Sequence, residues 1–444
     1  MPAHRDSSHV RRTAGEGGQR FESLCVVGLG FIGLPTAAIF ARGGLRVLGV
    51  DVQPDLVEQI NRGECPLDEP ELVPLVADVV QRGLLRAGQC AEPCDAYIVA
   101  VPTPCQAGHT PDIGYIRRAA QSIAPALRPG CLVILESTSP VGTTEQLADW
   151  LGAMRPDLTF PHLTGEAADV QVAHCPERVL PGRIVYELVH NDRVVGGLTA
   201  RCARRAAELY RQVVAGDCLE TSARTAELCK LTENAFRDVN IAFANELSMI
   251  CDRLGINVAD VIALANRHPR VNILRPGPGV GGHCIAVDPW FIVHSAPQEA
   301  RLIRCARQVN DAKARWVVGK VQHLARRWRQ PTIACLGLTY KADVADLRES
   351  PAVEIVHALA ESGTGRIVAV EPHVTQLPAV LQSAGVELCD LQGAVQRADL
   401  VVLLVDHREF ASVEAHHLGK PLLDTCRHRP TVHTGEPLML PRAA

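Results

Sequence analysis

The sequence lacks a charge excess of either sign. Its 45 basic and 49 acidic residues leave a net charge of −4 at pH 7. That balance gives no electrostatic reason to expect nucleic acid or an anionic membrane as partner. Metal-type cysteine spacing is also missing. Among 16 cysteines, Cys90 and Cys94 stand four apart with no second matching pair, so no zinc site is expected. The start, MPAHRDSSHVRRTAGEGGQR, is polar and basic and lacks the apolar core of a secretory signal. The 35 glycines and 30 prolines show no period, which excludes a collagen-like chain. One uncharged run, Ser23 to Ala41, approaches the length of a membrane span. It is interrupted by Gly28, Gly30, Gly33 and Pro35, and a better reading follows. Together these absences point to reduced thiols in a cytoplasmic protein with no membrane insertion.

What is present is ordinary for a globular chain. Hydrophobic residues make up 47% and charged residues 21% of 444, enough for two or three domains with cores of their own. Residues 1–20 read as a disordered tail. Leu24 to Leu29 reads as a buried strand, Pro35 to Arg42 as a helix, and Arg46 to Asp51 as the next strand. Further strands are expected at Ala96–Val101 and Leu132–Glu136. Strands alternating with helices imply a parallel, doubly wound sheet.

The middle of the chain changes character. Ser222 can cap a helix that runs without Gly or Pro to Leu254, with Gly255 as its stop. Such a helix would be on the order of 45–50 Å long. The Gly- and Pro-rich stretch Arg267–Pro289 reads as an elaborate loop. A second α/β pattern follows, with strands at Pro331–Gly337, Arg366–Glu371, Leu400–Asp406 and Leu422–Asp424. The expected class is therefore α/β: an N-terminal Rossmann-like dinucleotide domain over 21–215, a helical middle over 216–325 with the long helix, and a C-terminal Rossmann-like α/β domain over 326–444.

Gly28, Gly30 and Gly33 form G-x-G-x-x-G between a strand and a helix. In that place the glycines permit a tight turn, close approach to a pyrophosphate and close helix–strand packing. The helix start offers N–H groups to phosphate. Asp51, ending the next strand, can accept hydrogen bonds from a ribose 2′-OH and would repel a 2′-phosphate, so NAD is expected over NADP. Thr103 and Thr138 sit just after strands, where ligands of open sheets lie.

Lys230 and Asn234 share a helix face. A single lysine normally faces solvent, and Glu233 with Arg237 would make a bland exposed pair; periodicity leaves open which polar stripe is buried. Cys284 lies in the glycine-rich run Gly279–Pro289, four residues before Asp288. A lone cysteine is usually an inert core thiol. Beside a nicotinamide site, a thiol can instead trap an aldehyde as a thiohemiacetal, which hydride loss converts to a thioester.

From about residue 22 to 428 the chain resembles the nucleotide-sugar 6-dehydrogenases of the UDP-glucose/GDP-mannose dehydrogenase family. The shared blocks are GLGFIGLPTAA, AVPTP, ILESTSPVGTTEQ, CPERVLPG, NDRVVGG, RTAELCKLTENAFRDVNIAFANELS, LANRHPRVNI, GPGVGGHCIAVDPWFIV and DLRESPA. The resemblance implies roles. Cys284 matches the catalytic nucleophile, Lys230 the group that polarises the C6 oxygen with Asn234 beside it, Asp288 the group that positions water, and Glu177 the acid that assists the thioester steps. Arg178, Val179, Arg237, His268, Arg270, Gly281, Tyr340, Lys341 and Arg348 match positions that hold the UDP-sugar. Phe31, Ile32, Thr103 and Thr138 would line NAD. The resemblance also implies a homodimer around the long helix, with Arg348 acting across subunits.

The UDP-glucose branch carries a second acid four residues after the matching glutamate. Here that place is Pro181, within PERVLPG, and together with HPRVN it resembles the N-acetylhexosamine branch. The implied reaction is four-electron oxidation of UDP-N-acetyl-D-mannosamine at C6 with two NAD+, its product feeding a surface polysaccharide. UDP-N-acetylglucosamine as substrate, a catalytically silent nucleotide-sugar sensor and a plain two-electron dehydrogenase are the alternatives.

Overall fold

A computed structural model describes residues 20–67, 69–179, 182–413 and 419–426. Residues 1–19 of the expected tail and Pro181 lie outside that description. The chain forms two bodies. One takes the chain up to Thr103, Ile113–Thr138 and Gly142–Glu227; the other takes Pro104–Asp112, Ser139–Val141 and the chain from Leu228 onward.

The first body is built on an eight-stranded sheet. Its strands are β1 (Ser23–Val27), β2 (Arg46–Val50), β3 (Leu85–Gly88), β4 (Ala96–Val99), β5 (Leu132–Leu135), β6 (Gln171–His174), β7 (Arg193–Gly197) and β8 (Cys218–Ser222). They lie in the order β3-β2-β1-β4-β5-β6-β7-β8. Both faces are covered. Leu24 and Val26 join one core layer, Cys25 and Val27 the other. That double burial explains why β1, β4 and β5 read as unbroken apolar runs. Each fully buried aliphatic side chain contributes roughly 1.5–3 kcal/mol.

One pairing departs from the parallel expectation. β6 and β7 are antiparallel, with Ala173 opposite Gly197 and His174 opposite Gly196. The consequence is local: the start of β7 lies at the carboxyl end of β6. Four of these strands, β3, β6, β7 and β8, had no distinct signal in the sequence. β8 is the plainest case, since the segment CLETS has no fully buried residue.

The second body carries a five-stranded parallel sheet of β9 (Thr332–Leu336), β10 (Arg366–Val370), β11 (Glu387–Leu388), β12 (Leu400–Leu403) and β13 (Leu422–Asp424), in the order β11-β10-β9-β12-β13. The sheet order reverses direction at β9, which makes the gap between β9 and β12 a topological switch point.

The long helix runs Ala223–Leu254. Ser222 Oγ accepts the Thr225 N–H at 3.2 Å, and Gly255 ends the helix at φ +66°, a left-handed position that costs glycine nothing. From Leu228 onward it lies against the helix Arg301–Ala325 through buried polar contacts. Arg307 and Asn310 both donate to Asp238 Oδ1, at 2.7 and 2.8 Å. Asn245 donates to Asn310 Oδ1 at 2.9 Å and accepts the Gly277 N–H at 2.8 Å. The long helix thereby pins the start of the glycine-rich loop. No helix among the described residues is long and apolar enough to cross a membrane.

Candidate active site

The first body presents a dinucleotide cradle whose three glycines do different work. Gly28 has φ +92°, and a Cβ there would stand 2.6 Å from the Ala100 carbonyl oxygen. A Cβ on Gly33 would stand 1.8 Å from the Gly28 carbonyl oxygen. These two positions make the turn and the helix–strand contact possible. Around Gly30 a Cβ would meet nothing within 4 Å, so the open space a pyrophosphate needs lies at the middle glycine. Asp51 sits at the end of β2, where Oδ2 accepts the Leu29 N–H at 2.9 Å and Oδ1 the Gln53 N–H at 3.1 Å. Each carboxylate oxygen retains a second lone pair for a ribose hydroxyl. Phe31 is exposed and Ile32 half-buried beside the turn. Thr103 donates to the Thr138 carbonyl at 2.6 Å, tying together two loops at the carboxyl ends of β4 and β5. The residues present fit an NAD.

The first body also holds Glu177. It is buried, its Oε2 accepts from Arg193 at 2.7 Å, and its Oε1 accepts the Arg178 N–H at 2.6 Å. Arg178 is half-buried and donates to the Asp192 carbonyl. Val179 packs against the core.

The second body brings four distant residues together. Asn234 Nδ2, on the long helix, donates to Asp288 Oδ2 at 2.5 Å. Asp288 opens the helix Asp288–Ser295 and is only 3% exposed. Burial pushes its carboxyl up to about 6, against the lowering influence of the Lys230 charge and the Asn234 hydrogen bond. The Cys284 carbonyl accepts the Asp288 N–H at 2.8 Å, so thiol and carboxylate sit on one turn. Cys284 is an exposed residue, yet its sulfur is crowded enough that burial leads the causes raising its thiol. Asp288 adds to that rise, while Lys230 and Arg348 oppose it. One ammonium thus acts on both the nucleophile and the carboxylate.

The glycines around Cys284 are there for contact. A Cβ on Gly281 would stand 2.3 Å from the Glu349 carbonyl oxygen, and one on Gly282, at φ +83°, would stand 2.9 Å from the Tyr340 ring. The loop therefore lies flat on the segment that follows β9. That segment is braced by Glu371 at the end of β10, which accepts from Leu338 and Thr339 N–H, much as Asp51 braces its own turn. Tyr340 and Lys341 line a cavity of about 210 Å³ with Gly277–Gly279, Leu404–Asp406 and Cys426, at the switch point of the second sheet. Arg348 is held by Asp346 at 2.7 and 2.9 Å.

Three of the expected substrate residues lie on the surface of this body. Arg237, His268 and Arg270 are exposed, and the His268 ring accepts a 3.4 Å contact from the Arg270 N–H. Other contacts had no signal in the sequence: the Arg193 partner of Glu177, and His109 stacked on Trp290 at 4.0 Å, two residues beyond Asp288. Asp343, His373, His407 and Glu409 place possible metal-ligand atoms within 4.8 Å of one another. His407 already accepts the Asp343 N–H and faces Glu371, which occupies both of its ring nitrogens, while the buried His373 Nε2 lies 3.7 Å from Glu409.

Comparison with known proteins gives concordant results. Three models of the UDP-glucose/GDP-mannose dehydrogenase family match: the NAD binding domain over residues 22–214, the central domain over 224–312 and the UDP binding domain over 334–431. An NDP-N-acetyl-D-galactosaminuronic acid dehydrogenase of Ralstonia nicotianae is 58% identical over 406 residues, covering 91% of this chain and 96% of that protein. A UDP-N-acetyl-D-mannosamine dehydrogenase of Yersinia pestis is 55% identical over 414 residues, covering 91% and 98%. Among solved structures, a UDP-D-ManNAc dehydrogenase from Pyrococcus horikoshii matches with a TM-score of 0.83 at 37% identity, covering 93% of this chain and 97% of that one.

Proposed function

Because the chain belongs to the UDP-glucose/GDP-mannose dehydrogenase family, we propose that it oxidises C6 of UDP-N-acetyl-D-mannosamine to the carboxylate of UDP-N-acetyl-D-mannosaminuronate. It is an NAD-dependent oxidoreductase of UDP-sugars. The observation that carries the mechanism is the meeting of Lys230, Asn234, Cys284 and Asp288 in one body. Bound NAD supplies the hydride acceptor for both oxidations.

The chain's own residues supply the rest. Lys230 stabilises negative charge on the C6 oxygen as the alcohol loses its proton from oxygen and a hydride from C6, which gives the aldehyde. The Cys284 thiolate then adds to the aldehyde carbon, and the carbonyl oxygen takes up a proton to give a thiohemiacetal. Loss of hydride and of that proton leaves a thioester. Asp288, held by Asn234, takes a proton from the water that opens it, and Glu177 is the second proton handler. The thiolate leaves as the carboxylate forms. One alcohol, two NAD+ and one water give one carboxylate, two NADH and three protons.

A base must be deprotonated to act. Asp288, raised to about 6, is protonated below that pH and ionised above it. Turnover should therefore fall as pH drops through about 6, a limb that Asp288→Asn abolishes along with most of the activity. A pH–rate profile of uronate release that stays flat through that range would remove Asp288 from the base role.

UDP-N-acetyl-D-mannosamine is supported by the named relatives at 54–55% identity. The Ralstonia relatives at 56–58% favour a second reading, the galacto epimer. Assay of purified protein with NAD+ against a panel of UDP-sugars decides between the epimers. An N-acetylhexosamine should give a clearly higher specificity constant than UDP-glucose; the reverse order would overturn the branch assignment.

The domain division 21–215, 216–325 and 326–444 and the homodimer belong to the same reading. Phe236, Phe243 and Ile250 stand seven residues apart on the long helix and are 70%, 55% and 48% exposed, with Leu254 at 64%. A seven-residue spacing keeps them on one face, which a second copy would cover. Sedimentation should show a dimer for the native chain and a monomer for Phe243→Glu; an unchanged dimer would place the interface elsewhere. We also assign the reaction to the cytoplasm, in keeping with the sixteen free thiols; cell fractionation checks it.

A further inference from the structure

The antiparallel pairing of β6 and β7 has a chemical result. Continuing its register three places beyond His174 and Gly196 sets Glu177 opposite Arg193, and the two side chains meet at 2.7 Å. A second carboxylate shares that cation. Glu136, directly after β5, lies 3.9 Å from the same Arg193 nitrogen. Its Oε2 accepts from Thr36, on the helix Gly33–Arg42, at 3.1 Å. Its Oε1 accepts from Tyr210, on the helix Ala200–Tyr210, at 3.2 Å. Glu136, Glu177 and Arg193 are 1%, 7% and 5% exposed. The Cys175 thiol and the Tyr210 ring complete the surroundings.

Two carboxylates and one guanidinium sealed from water cannot all be charged without leaving one negative charge unmatched, so one carboxyl keeps a proton. The geometry says which. Glu177 has the direct contact with Arg193 and a backbone N–H besides. Glu136 has the longer contact and two neutral hydroxyl donors. We propose that Arg193 and Glu136 are positioning residues for Glu177: Arg193 aims its carboxylate, and Glu136 holds the proton that leaves Arg193 committed to Glu177. The inference rests on the reading that Glu177 handles protons in the thioester steps.

The sign of the pH dependence follows. Burial first, then the Glu177 charge, raise Glu136 to about 7, while Arg193, Thr36 and Tyr210 oppose the rise. Below that pH Glu136 is neutral and Glu177 has Arg193 to itself. Above it Glu136 ionises and competes for the guanidinium, so thioester opening slows.

Two measurements test this on the full-length protein. Difference infrared spectroscopy across neutrality, on chains that also carry Asp288→Asn to remove the other buried carboxyl raised toward neutrality, should show the carbonyl band of a buried carboxylic acid vanishing as pH rises while Glu136 is present, and no such band once Glu136→Gln is added. Absence of the band in the Asp288→Asn chain, or its persistence when Glu136→Gln is added, would overturn the proton assignment. The alkaline fall in the rate of uronate release should disappear in Glu136→Gln, with melting temperature and NAD affinity kept. In Tyr210→Phe, which removes a donor that lowers Glu136, the fall should move to higher pH. An alkaline limb unmoved in both variants contradicts the positioning role. Glu177→Gln separates the two readings: it should slow release at every pH, and a native rate there would sink the role of Glu177 while the infrared band still reports on Glu136.

Discussion

Cys284→Ala should fold, bind NAD and UDP-sugar, and form no uronate. Removal of the covalent nucleophile of a serine protease lowers turnover by roughly 10⁶, and a loss approaching that order is expected here. The reason lies in the second oxidation. An aldehyde carries one hydrogen on C6 but offers no leaving group for water, whereas its adduct with the thiol presents that C–H for removal and leaves an acyl group that water can open. The resting thiol is raised by burial and by Asp288, so it is the cationic pair Lys230 and Arg348 that must favour the thiolate. Cys284→Ser is the finer variant. Its hydroxyl is a weaker nucleophile and its ester a less reactive intermediate, so it should stall as a covalent adduct visible by intact-protein mass spectrometry. Near-native uronate production by Cys284→Ala would return Cys284 to the role of a structural thiol.

Lys230→Ala should lower turnover by roughly 10²–10³, the scale for loss of one preorganised donor at a developing oxyanion. The same substitution should move the acid limb of the pH profile upward, because the Lys230 charge is the first influence holding the Asp288 carboxyl down. A loss of activity without that shift would mean that Lys230 serves the C6 oxygen alone. A loss under about tenfold, well short of that scale, with no shift would make it a surface residue. Steady-state kinetics across pH with the best UDP-sugar of the panel provides both readouts. Thermal melting should be close to that of the native chain, since Lys230 is half-buried rather than enclosed.

What could be read from the amino-acid order was local. Gly28, Gly30, Gly33 and Asp51 fall within one β-α-β unit; Gly28 and Gly33 have a reason in φ or in contact distance, and Gly30 leaves open space. Ser222 and Gly255 bracket the long helix because capping is decided within one turn. The strands with a continuous apolar run were evident; β3 and β8, with exposed or polar positions, were not.

The catalytic cluster was legible only through resemblance. Asn234 and Asp288 lie 54 residues apart, and helical periodicity could not say which polar stripe of the long helix faces inward. The Glu177–Arg193 contact depends on an antiparallel register that no local pattern announces. Arg237, His268 and Arg270, matched to substrate positions by resemblance, stand exposed. Pro181, which carried the branch argument, lies outside the described residues.

The central claim is a four-electron oxidation through one covalent thiol intermediate, and a count of NADH against sugar tests it most directly. With limiting UDP-N-acetylhexosamine and excess NAD+, the native chain should form two NADH for each sugar consumed, with uronate as the product and no free aldehyde. One NADH per sugar with the aldehyde accumulating would contradict the account and leave a plain two-electron dehydrogenase.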